Sequence, residues 1–445
     1  MTKVGLISPR GAEKNSRNLL LQKVYERIKA LAAFVEVDDI EFVPNLGLLQ
    51  VAAYFPEKYR LSYIDENYLE LNGKPPEHYW ADFDLVLLSG FNHQAKRAYR
   101  IAQALRAKGV KTVMGGLHAS ALPQEAGRFV DAVVAGEAEE LIPQLIEDFE
   151  RGKLQPIYRA QRGADLTRVL PPRYDLINPD FYNKIAVYAT RGCPHDCSFC
   201  CLKGIYAPEY RKKTLPQITR ELDMIKNLLG EKFITFADEN LLVDRTFSKD
   251  LLRALIPYGI NYECYCDAGV AEDEELLDLL KASGCVELLI GFESADEKVL
   301  RQIDPWKAEK LKDYPRIIEK IQSRGIGVVG LFVLGFDQDT PKTFAQLSDF
   351  IERTGLFDVD ISILTPIPGS RLYAELEKSG RLLSQDWNRY TWHNVNFQPL
   401  NLAPRELIRG KFQVYQRFYR EKAIAERASR FRELYERLHH HGLAR

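Results

Sequence analysis

The sequence predicts an α/β protein with an N-terminal doubly wound, Rossmann-like domain, a partial (β/α)6 barrel and a helical C-terminal extension. Short strand-like runs alternate with amphipathic helical segments along most of the 445 residues, which is typical of parallel sheets with helical crossovers. A stretch rich in proline and arginine interrupts this alternation once, and a chain of this length usually contains several domains. We therefore assign 1–150 to the first domain, 151–183 to a linker, 184–370 to the barrel and 371–445 to the extension.

The first domain is predicted from five strand-like runs: KVGLISP, YRLSYIDE, DFDLVLLSG, KTVMGGLH and DAVVAG. Helical segments such as NLGLLQVAAYF and HQAKRAYRIAQALRAKG separate them. The loops SGFNH, GGLHAS and GEAEE follow the carboxyl ends of strands. Open α/β sheets bind ligands at that edge, so a binding site is expected there.

The barrel is predicted from six further runs: KIAVYAT, KFITFAD, NYECYCD, VELLIGFE, GVVGLFVLG and VDISILT. Most are followed by an amphipathic helix, such as LPQITRELDMIKNLL. Six such units predict an open or partial barrel, whose chemistry belongs at the carboxyl ends of its strands. The basic, aromatic segment near the C-terminus is predicted to pack its aromatic side chains on the barrel, and a cover over the substrate is the alternative.

Composition narrows the class of protein. The net charge of −1, with 46% hydrophobic and 28% charged residues, gives no indication of a nucleic-acid partner. The N-terminal MTKVGLISPR lacks the features of a signal peptide, and the longest uncharged apolar run, 326–336, is too short for a transmembrane segment. We expect a cytoplasmic protein, in which thiols stay reduced.

The stretch ATRGCPHDCSFCC, 189–201, contains four of the 7 cysteines. Cys193, Cys197 and Cys200 form a C-x3-C-x2-C pattern directly after the first barrel strand. Three thiolates on one loop are a ligand set suited to an iron–sulfur cluster, with one iron left open to a small molecule. A zinc site usually uses C-x2-C pairs and four ligands, and a disulfide would be strained in so short a loop. We predict that Cys201 points away from this set and packs in the interior.

The three remaining cysteines lie in or beside the third and fourth barrel strands. Cys264 and Cys266 share one face of a strand because side chains alternate along it. We interpret both, and Cys285, as small buried side chains. A thiol that quenches radicals is the alternative.

The cysteine loop, with Phe199 before its last cysteine and six βα units around it, resembles the radical S-adenosylmethionine (SAM) superfamily over about 184–370. The resemblance implies that Cys193, Cys197 and Cys200 bind a [4Fe–4S] cluster whose open iron chelates SAM. It also implies that one electron, from a donor such as flavodoxin or ferredoxin, cleaves SAM to a 5′-deoxyadenosyl radical.

The same resemblance implies further site residues at the carboxyl ends of barrel strands. Asp238, Glu239 and Asn240 match the contact to the amino group of SAM, whereas Glu293 and Ser294 match contacts to its ribose and carboxylate. Two segments match the fifth strand near the adenine and the sixth-strand exit: Gly330–Phe336 and Leu364–Ser370. Each carboxylate alone is equally compatible with a helix cap or a solvated loop charge.

The first domain resembles the cobalamin-binding domain of the B12-dependent radical SAM class. The similarity lies in Met114–Ala126, in Gly136–Glu140 and in PPRYDL at 171–176. It predicts a cofactor site formed by five loop residues: Gly115, Gly116, His118, Gly136 and Glu137. The glycines would allow a large cofactor to approach the backbone closely.

One feature departs from many cobalamin domains. The motif D-x-H-x-x-G, which supplies an axial histidine, is absent, and the nearest histidines are His93 and His118. Cobalamin is therefore expected to bind without a motif histidine on cobalt. Both histidines are also compatible with a role as hydrogen-bonded loop residues.

These features predict an enzyme that uses SAM, a [4Fe–4S] cluster and cobalamin to methylate an unactivated carbon of a small or lipid-like molecule. The alternative is a radical enzyme that forms rings, carbon–carbon bonds or carbon–oxygen bonds in a lipid or tetrapyrrole, with or without cobalamin. A third possibility is a cobalamin or SAM sensor without catalysis. The cysteine trio disfavours it, because a sensor needs no open iron.

Overall fold

The computed structural model describes residues 1–11, 43–71, 79–80 and 82–441. Parts of the predicted first domain and the last four residues, 442–445, lie outside these ranges. The described ranges contain two large parallel sheets and one short antiparallel ribbon. No helix in them is long and apolar enough to cross a membrane.

The first sheet contains six parallel strands among the described residues. They are β1 (Thr2–Ser8), β2 (Tyr59–Asp65), β3 (Leu85–Ser89), β4 (Lys111–Gly115), β5 (Ala132–Ala135) and β6 (Ile157–Arg159). Their order is β2-β1-β3-β4-β5-β6. The winding direction reverses between β1 and β3, which opens a crevice at the carboxyl ends of the strands. The predicted doubly wound fold is confirmed.

Helices cover both faces of this sheet. They are α1 (Leu46–Ala52), α2 (Glu66–Leu71), α3 (Ala95–Arg106), α4 (Gly116–Ala121), α5 (Pro123–Ala126) and α6 (Ile142–Glu150). Apolar residues of α3 pack with Ile7, Val86 and Met114 on one face. Those of α1 and α6 pack on the other face, where the alternate strand residues point.

Strand β6 lies inside the segment predicted as a linker. It pairs in parallel with β5, from Val133↔Ile157 to Ala135↔Arg159. The first sheet therefore extends beyond residue 150. The segment Ile157–Arg159 is too short to show a strand pattern by itself. It becomes a strand because it pairs with β5. The domain boundaries themselves stay a prediction.

The barrel contains six parallel strands in the described part of the chain. They are β7 (Lys184–Val187), β10 (Phe233–Phe236), β11 (Tyr262–Cys266), β12 (Cys285–Glu293), β13 (Gly327–Leu334) and β14 (Asp358–Ile363). Their order is β14-β13-β12-β11-β10-β7, with no pairing between the two end strands of this described sheet. The predicted partial barrel is confirmed. A short ribbon, β8 (Thr190–Arg191) with β9 (Arg211–Lys212), rises from its first strand.

The barrel helices begin and end at recognisable residues. They are α7 (Leu202–Ile205), α8 (Leu215–Leu229), α9 (Arg245–Leu255), α10 (Glu274–Ala282), α11 (Glu297–Ile303), α12 (Pro305–Lys310), α13 (Tyr314–Gln322) and α14 (Pro341–Thr354). Thr214 and Gln217 form a capping box at the start of α8. Asp244 and Asp273 accept backbone hydrogen bonds at the starts of α9 and α10.

The C-terminal region contains α15 (Arg371–Lys378), α16 (Pro404–Phe418), α17 (Glu421–Arg430) and α18 (Arg432–His440). Leu434 and Leu438 of α18 are buried against Phe233, Val286 and Val329, which lie near the amino ends of their strands. Helix α18 thus packs on the end of the barrel opposite the cysteine loop.

We predict that Leu434→Ala destabilises the protein, because it leaves a cavity at the closed end of the barrel. The expected loss is about 3 kcal/mol in the free energy of unfolding, measured by urea denaturation of the metal-free chain. Arg432→Ala, at an exposed position of the same helix, should change it by less than about 0.5 kcal/mol. A similar loss in both variants would contradict the packing described here.

Candidate active site

The three predicted ligand cysteines lie in one loop, 192–210, between the two strands of the ribbon. Cys193, Cys197 and Cys200 are half-buried, and no cysteine of the described chain forms a disulfide. All three line a cavity of about 190 Å³ at the carboxyl end of the barrel. Gly192 opens the loop with a φ of +100°, and a Cβ at this position would collide with the carbonyl of Glu209.

The start of α15 supports this loop from outside. Arg371 donates to the Asp196 carboxylate at 2.5 Å and to the Asp196 carbonyl at 2.7 Å. The Leu372 amide donates to the Ser198 carbonyl at 3.0 Å. A Cβ at Gly204 would collide with the carbonyl of Gly369. The predicted sixth-strand exit therefore packs directly against the cysteine loop.

Burial raises the pKa of all three thiols, and that of Cys197 to about 12. A metal centre would displace these protons, because thiolates are the ligating form. No group of three His, Cys, Asp or Glu side chains in the described residues meets the geometry for a metal ion. The three thiols line a cavity of about 190 Å³, and thiolates are the ligands that hold iron–sulfur clusters.

Of the three residues predicted at the end of β10, two line the cavity and one does not. Glu239 lines the cavity and accepts a hydrogen bond from the Gly192 amide at 3.0 Å. Asn240 also lines it and donates to Asp267 at 2.8 Å. Asp238 does not line it. Its carboxylate accepts hydrogen bonds from the backbone amides of Ala189 and Thr190 at 3.1 and 2.5 Å, and burial raises its pKa to about 7.

At the end of β12, Glu293 lines the cavity with a φ of +65°, a conformation that is uncommon outside glycine. Its carboxylate binds Lys307 at 2.7 Å, and Lys307 also donates to the Gly291 carbonyl at 2.7 Å. Although burial opposes it, the Glu293 charge raises the pKa of Lys307 above its ordinary value. Ser294 lies away from this cavity, and its hydroxyl accepts from the Asp296 amide at 3.1 Å.

The cavity also carries a histidine–aspartate cluster that the sequence did not indicate. His195, inside the cysteine motif, binds Asp304 at 2.6 Å and Asp267 at 3.4 Å, and its ring centroid lies 5.2 Å from that of Trp306. Burial opposes ionisation, but hydrogen bonds from His195 and Asn240 lower the pKa of Asp267 to about 2. The partners of His195 lie 72 and 109 residues away, so only its position within the motif was visible.

A larger cavity, of about 400 Å³, lies between the first domain and the barrel. From the first domain, the predicted residues Gly115, Gly116, Gly136 and Glu137 line it. From the barrel side it is lined by Tyr188, Arg191, Tyr206 and Arg211, among others. Four described residues line both cavities: Gly192, Leu202, Ala207 and Glu239. The two cavities therefore meet at the base of the cysteine loop.

Glycine is required at two positions on the larger cavity. Gly116 has a φ of +84°, and a Cβ there would lie 2.6 Å from the Ser89 hydroxyl. Gly136 has a φ of +94°, and a Cβ there would lie 2.9 Å from that of Ala160. Both leave bare backbone at the cavity wall, as the sequence analysis anticipated.

Neither His93 nor His118 lines the larger cavity. His118 is fully buried, and its ring nitrogens bind the Tyr99 hydroxyl at 2.7 Å and the Asn92 amide at 3.0 Å. The structure does not bring it to the predicted cofactor site. His93 is buried beside Phe91 and Trp392, with ring centroids 6.0 and 5.7 Å apart.

The other cysteines occupy interior positions. Cys201 is buried with Ile367 and Tyr373 in the core shared with the first domain. Cys264 and Cys285 are fully buried in the barrel core. Cys266 is buried as well and borders the smaller cavity.

Two family models match the chain. The model of the radical SAM superfamily matches 187–351, and that of the B12 binding domain matches 41–146. Bacteriochlorophyllide d C-12(1)-methyltransferase of Chlorobaculum tepidum is 27% identical over 389 residues, which cover 86% of this chain and 84% of the relative. Hopanoid C-2 methylase of Rhodopseudomonas palustris is 29% identical over 409 residues, which cover 88% and 74%.

The fold is also that of a solved structure. The radical SAM methyltransferase TsrM of Kitasatospora setae, with tryptophan and a SAM analogue bound, has a TM-score of 0.67 to this chain at 16% sequence identity. The match covers 94% of this chain and 83% of TsrM. The likeness therefore includes both domains and most of the C-terminal region.

Proposed function

Because the chain is a radical SAM enzyme with a B12-binding domain, we propose that it methylates an unactivated carbon of a small molecule. The observation that carries this proposal is the meeting of the two cavities at Gly192, Leu202, Ala207 and Glu239. A substrate at that junction would contact groups bound in both. Several relatives are methylases of pigments or lipids, which supports a methyl acceptor of similar size.

The bound groups supply reactivity that side chains lack: a [4Fe–4S] cluster and SAM provide a hydrogen-abstracting radical, and cobalamin provides a methyl group. Cys193, Cys197 and Cys200 would hold the cluster. Their half-buried loop, supported by α15, limits access of water and oxygen. The protein's task is therefore to bind and orient the cofactors and the substrate, and to exclude water and oxygen.

Three polar residues of the smaller cavity would hold SAM. Glu239 and Asn240 offer acceptors for its amino group, as the superfamily resemblance implies. Glu293 is fixed by Lys307, so its carboxylate is oriented before the cofactor arrives. Asp238 acts indirectly, since its hydrogen bonds hold the backbone that leads into the cysteine loop.

The larger cavity would hold cobalamin. Gly115, Gly116 and Gly136 leave backbone exposed at the carboxyl edge of the first sheet, and apolar side chains of α1 and α6 form the deeper wall. A flavodoxin or ferredoxin would supply the electron. The enzyme would work in the cytoplasm, where thiols stay reduced. The four residues that this cavity shares with the cavity of the cysteine loop favour methylation over a bond-forming reaction without cobalamin.

The test is a methyl-transfer assay under anaerobic conditions. The reconstituted protein receives cobalamin, a reductant, SAM with a trideuterated methyl group, and a small-molecule and lipid extract of the host cells. We expect 5′-deoxyadenosine together with a product that carries the labelled methyl group only when cobalamin is present. Products of changed mass without the label would contradict methylation and support the bond-forming alternative.

A further inference from the structure

We propose that Glu137 is a positioning residue that couples cobalamin in the larger cavity to SAM binding at the cysteine loop. The inference rests on the proposed function, because it needs both cofactors. It concerns the contact between the two domains rather than either binding site alone.

The cysteine loop is closed at its base by a pair of arginines. In the antiparallel ribbon, Arg191 of β8 lies opposite Arg211 of β9. Both guanidinium groups bind the same carboxylate of the first domain. Arg191 donates to Glu137 at 2.9 Å, and Arg211 donates to its two oxygens at 2.9 and 2.5 Å. One side chain therefore fixes both ends of the loop that carries the cluster cysteines.

The contact between Glu137 and the two arginines is buried, and its members form further hydrogen bonds. Glu137 is 7% exposed, and it also accepts a hydrogen bond from the Ala164 amide at 3.1 Å. Arg191 binds Glu139 at 2.5 Å and the Tyr188 hydroxyl at 2.9 Å. Charge-assisted, bidentate bonds of this kind restrict geometry more strongly than single neutral bonds. Movement of Glu137 would therefore move the ribbon with it.

The same group of side chains forms part of the wall of the larger cavity. Gly136, Glu137, Arg191 and Arg211 all line it. An occupant of that cavity would press on the loop that begins at Gly136 and so set the position of the Glu137 carboxylate. Arg191 precedes Cys193 by two residues, and the intervening Gly192 binds Glu239 in the smaller cavity. Arg191 in the larger cavity and Cys193 in the smaller one are therefore separated by a single residue, Gly192.

The experiment measures the dissociation constant of SAM for the cluster-reconstituted chain with and without hydroxocobalamin. In the wild type, we expect cobalamin to tighten SAM binding at least about fivefold, and SAM to tighten cobalamin binding by the same factor, because linkage is reciprocal. Cobalamin should also change the electron paramagnetic resonance spectrum of the reduced cluster. In Glu137→Gln, the factor by which each cofactor tightens binding of the other should fall to about one, whatever the two dissociation constants become.

Glu140→Gln is the matched control. Glu140 lies in the same loop, but its side chain is about half exposed and binds Arg162 at 3.4 Å. This variant should keep the wild-type coupling factor and the spectral change. Loss of coupling in both variants would mean that the loop matters as a whole and would overturn a specific role for Glu137.

Arg211→Lys tests the same contact from the barrel side, in case Glu137→Gln fails to fold. Lysine keeps the positive charge but cannot form the bidentate hydrogen bonds to Glu137. This variant should therefore also lose the coupling between cobalamin and SAM binding. Wild-type coupling in either variant would overturn the inference, as would a wild type that binds both cofactors independently. A wild type that binds no cobalamin would overturn the proposed function as well, so the two failures are distinguishable.

Discussion

Replacing Cys197 with alanine is expected to abolish reductive cleavage of SAM. With only two of the three loop ligands left, Cys193 and Cys200, the cluster should not assemble, and SAM should receive no electron through it. We expect the rate of 5′-deoxyadenosine formation to fall at least about a thousandfold, which corresponds to about 4 kcal/mol in the activation barrier. The measurement is chromatographic detection of 5′-deoxyadenosine under anaerobic conditions, with iron counted per chain.

Cys201→Ala provides the control within the same motif. Cys201 adjoins Cys200 in sequence, yet its side chain is buried with Ile367 and Tyr373 and does not line the smaller cavity. Its replacement should leave the iron content and SAM cleavage near wild-type values. If Cys201→Ala lost its iron while Cys197→Ala kept it, the assignment of the three ligands would be wrong.

Replacing Gly115 with leucine is expected to prevent cobalamin binding. Gly115 lines the larger cavity, and a Cβ there would make only ordinary contacts, 3.6 and 3.7 Å from atoms of Val134. The backbone therefore accepts a side chain, whereas a leucine would occupy space that the cofactor needs. We expect the dissociation constant for cobalamin to rise by about 100-fold, or about 3 kcal/mol, measured by absorbance titration.

Two comparisons make this result specific. Gly115→Ala adds a single methyl group in a position with room for it and should change the affinity little. Gly115→Leu should retain its iron and its ability to cleave SAM, because the cysteine loop lies on the other side of the junction. Wild-type cobalamin affinity in Gly115→Leu would show that the cofactor does not occupy this cavity.

The fold followed from local patterns because each strand of the two sheets carries its own apolar run. VELLIGFE and GVVGLFVLG are buried almost throughout, as parallel strands covered by helices require. Strand β6 was missed because its short segment becomes a strand only through pairing with β5. Its position depends on tertiary contacts that no local pattern contains.

The site was only partly predictable. The sequence located the loops that carry the site residues, but not the direction in which each side chain points. The residues that follow β10 turn in different directions, so Glu239 and Asn240 face the cavity while Asp238 binds backbone behind it. His118 likewise follows the right strand but turns into the interior towards Tyr99. A spacing motif locates a loop, but it does not say which of its side chains reaches the ligand.

The groups that join distant parts of the chain could not be found from the sequence. Glu137 meets Arg191 and Arg211 across 54 and 74 residues. Lys307 reaches Glu293 from a helix that has no motif of its own. The Glu137 contacts exist because the first domain packs against the ribbon, whereas the Lys307 contact depends on the fold of the barrel itself.

The most direct test of the account is the content of iron, sulfide and cobalt in the wild-type protein, purified anaerobically with cobalamin supplied and then reconstituted. Three cysteine ligands and an open iron predict about four irons and four sulfides per chain. The B12-binding domain predicts about one cobalt per chain, with a visible spectrum in which the cofactor's own base is off the cobalt. Iron without cobalt would contradict the two-cofactor methylase, and a protein without iron would contradict radical SAM chemistry altogether.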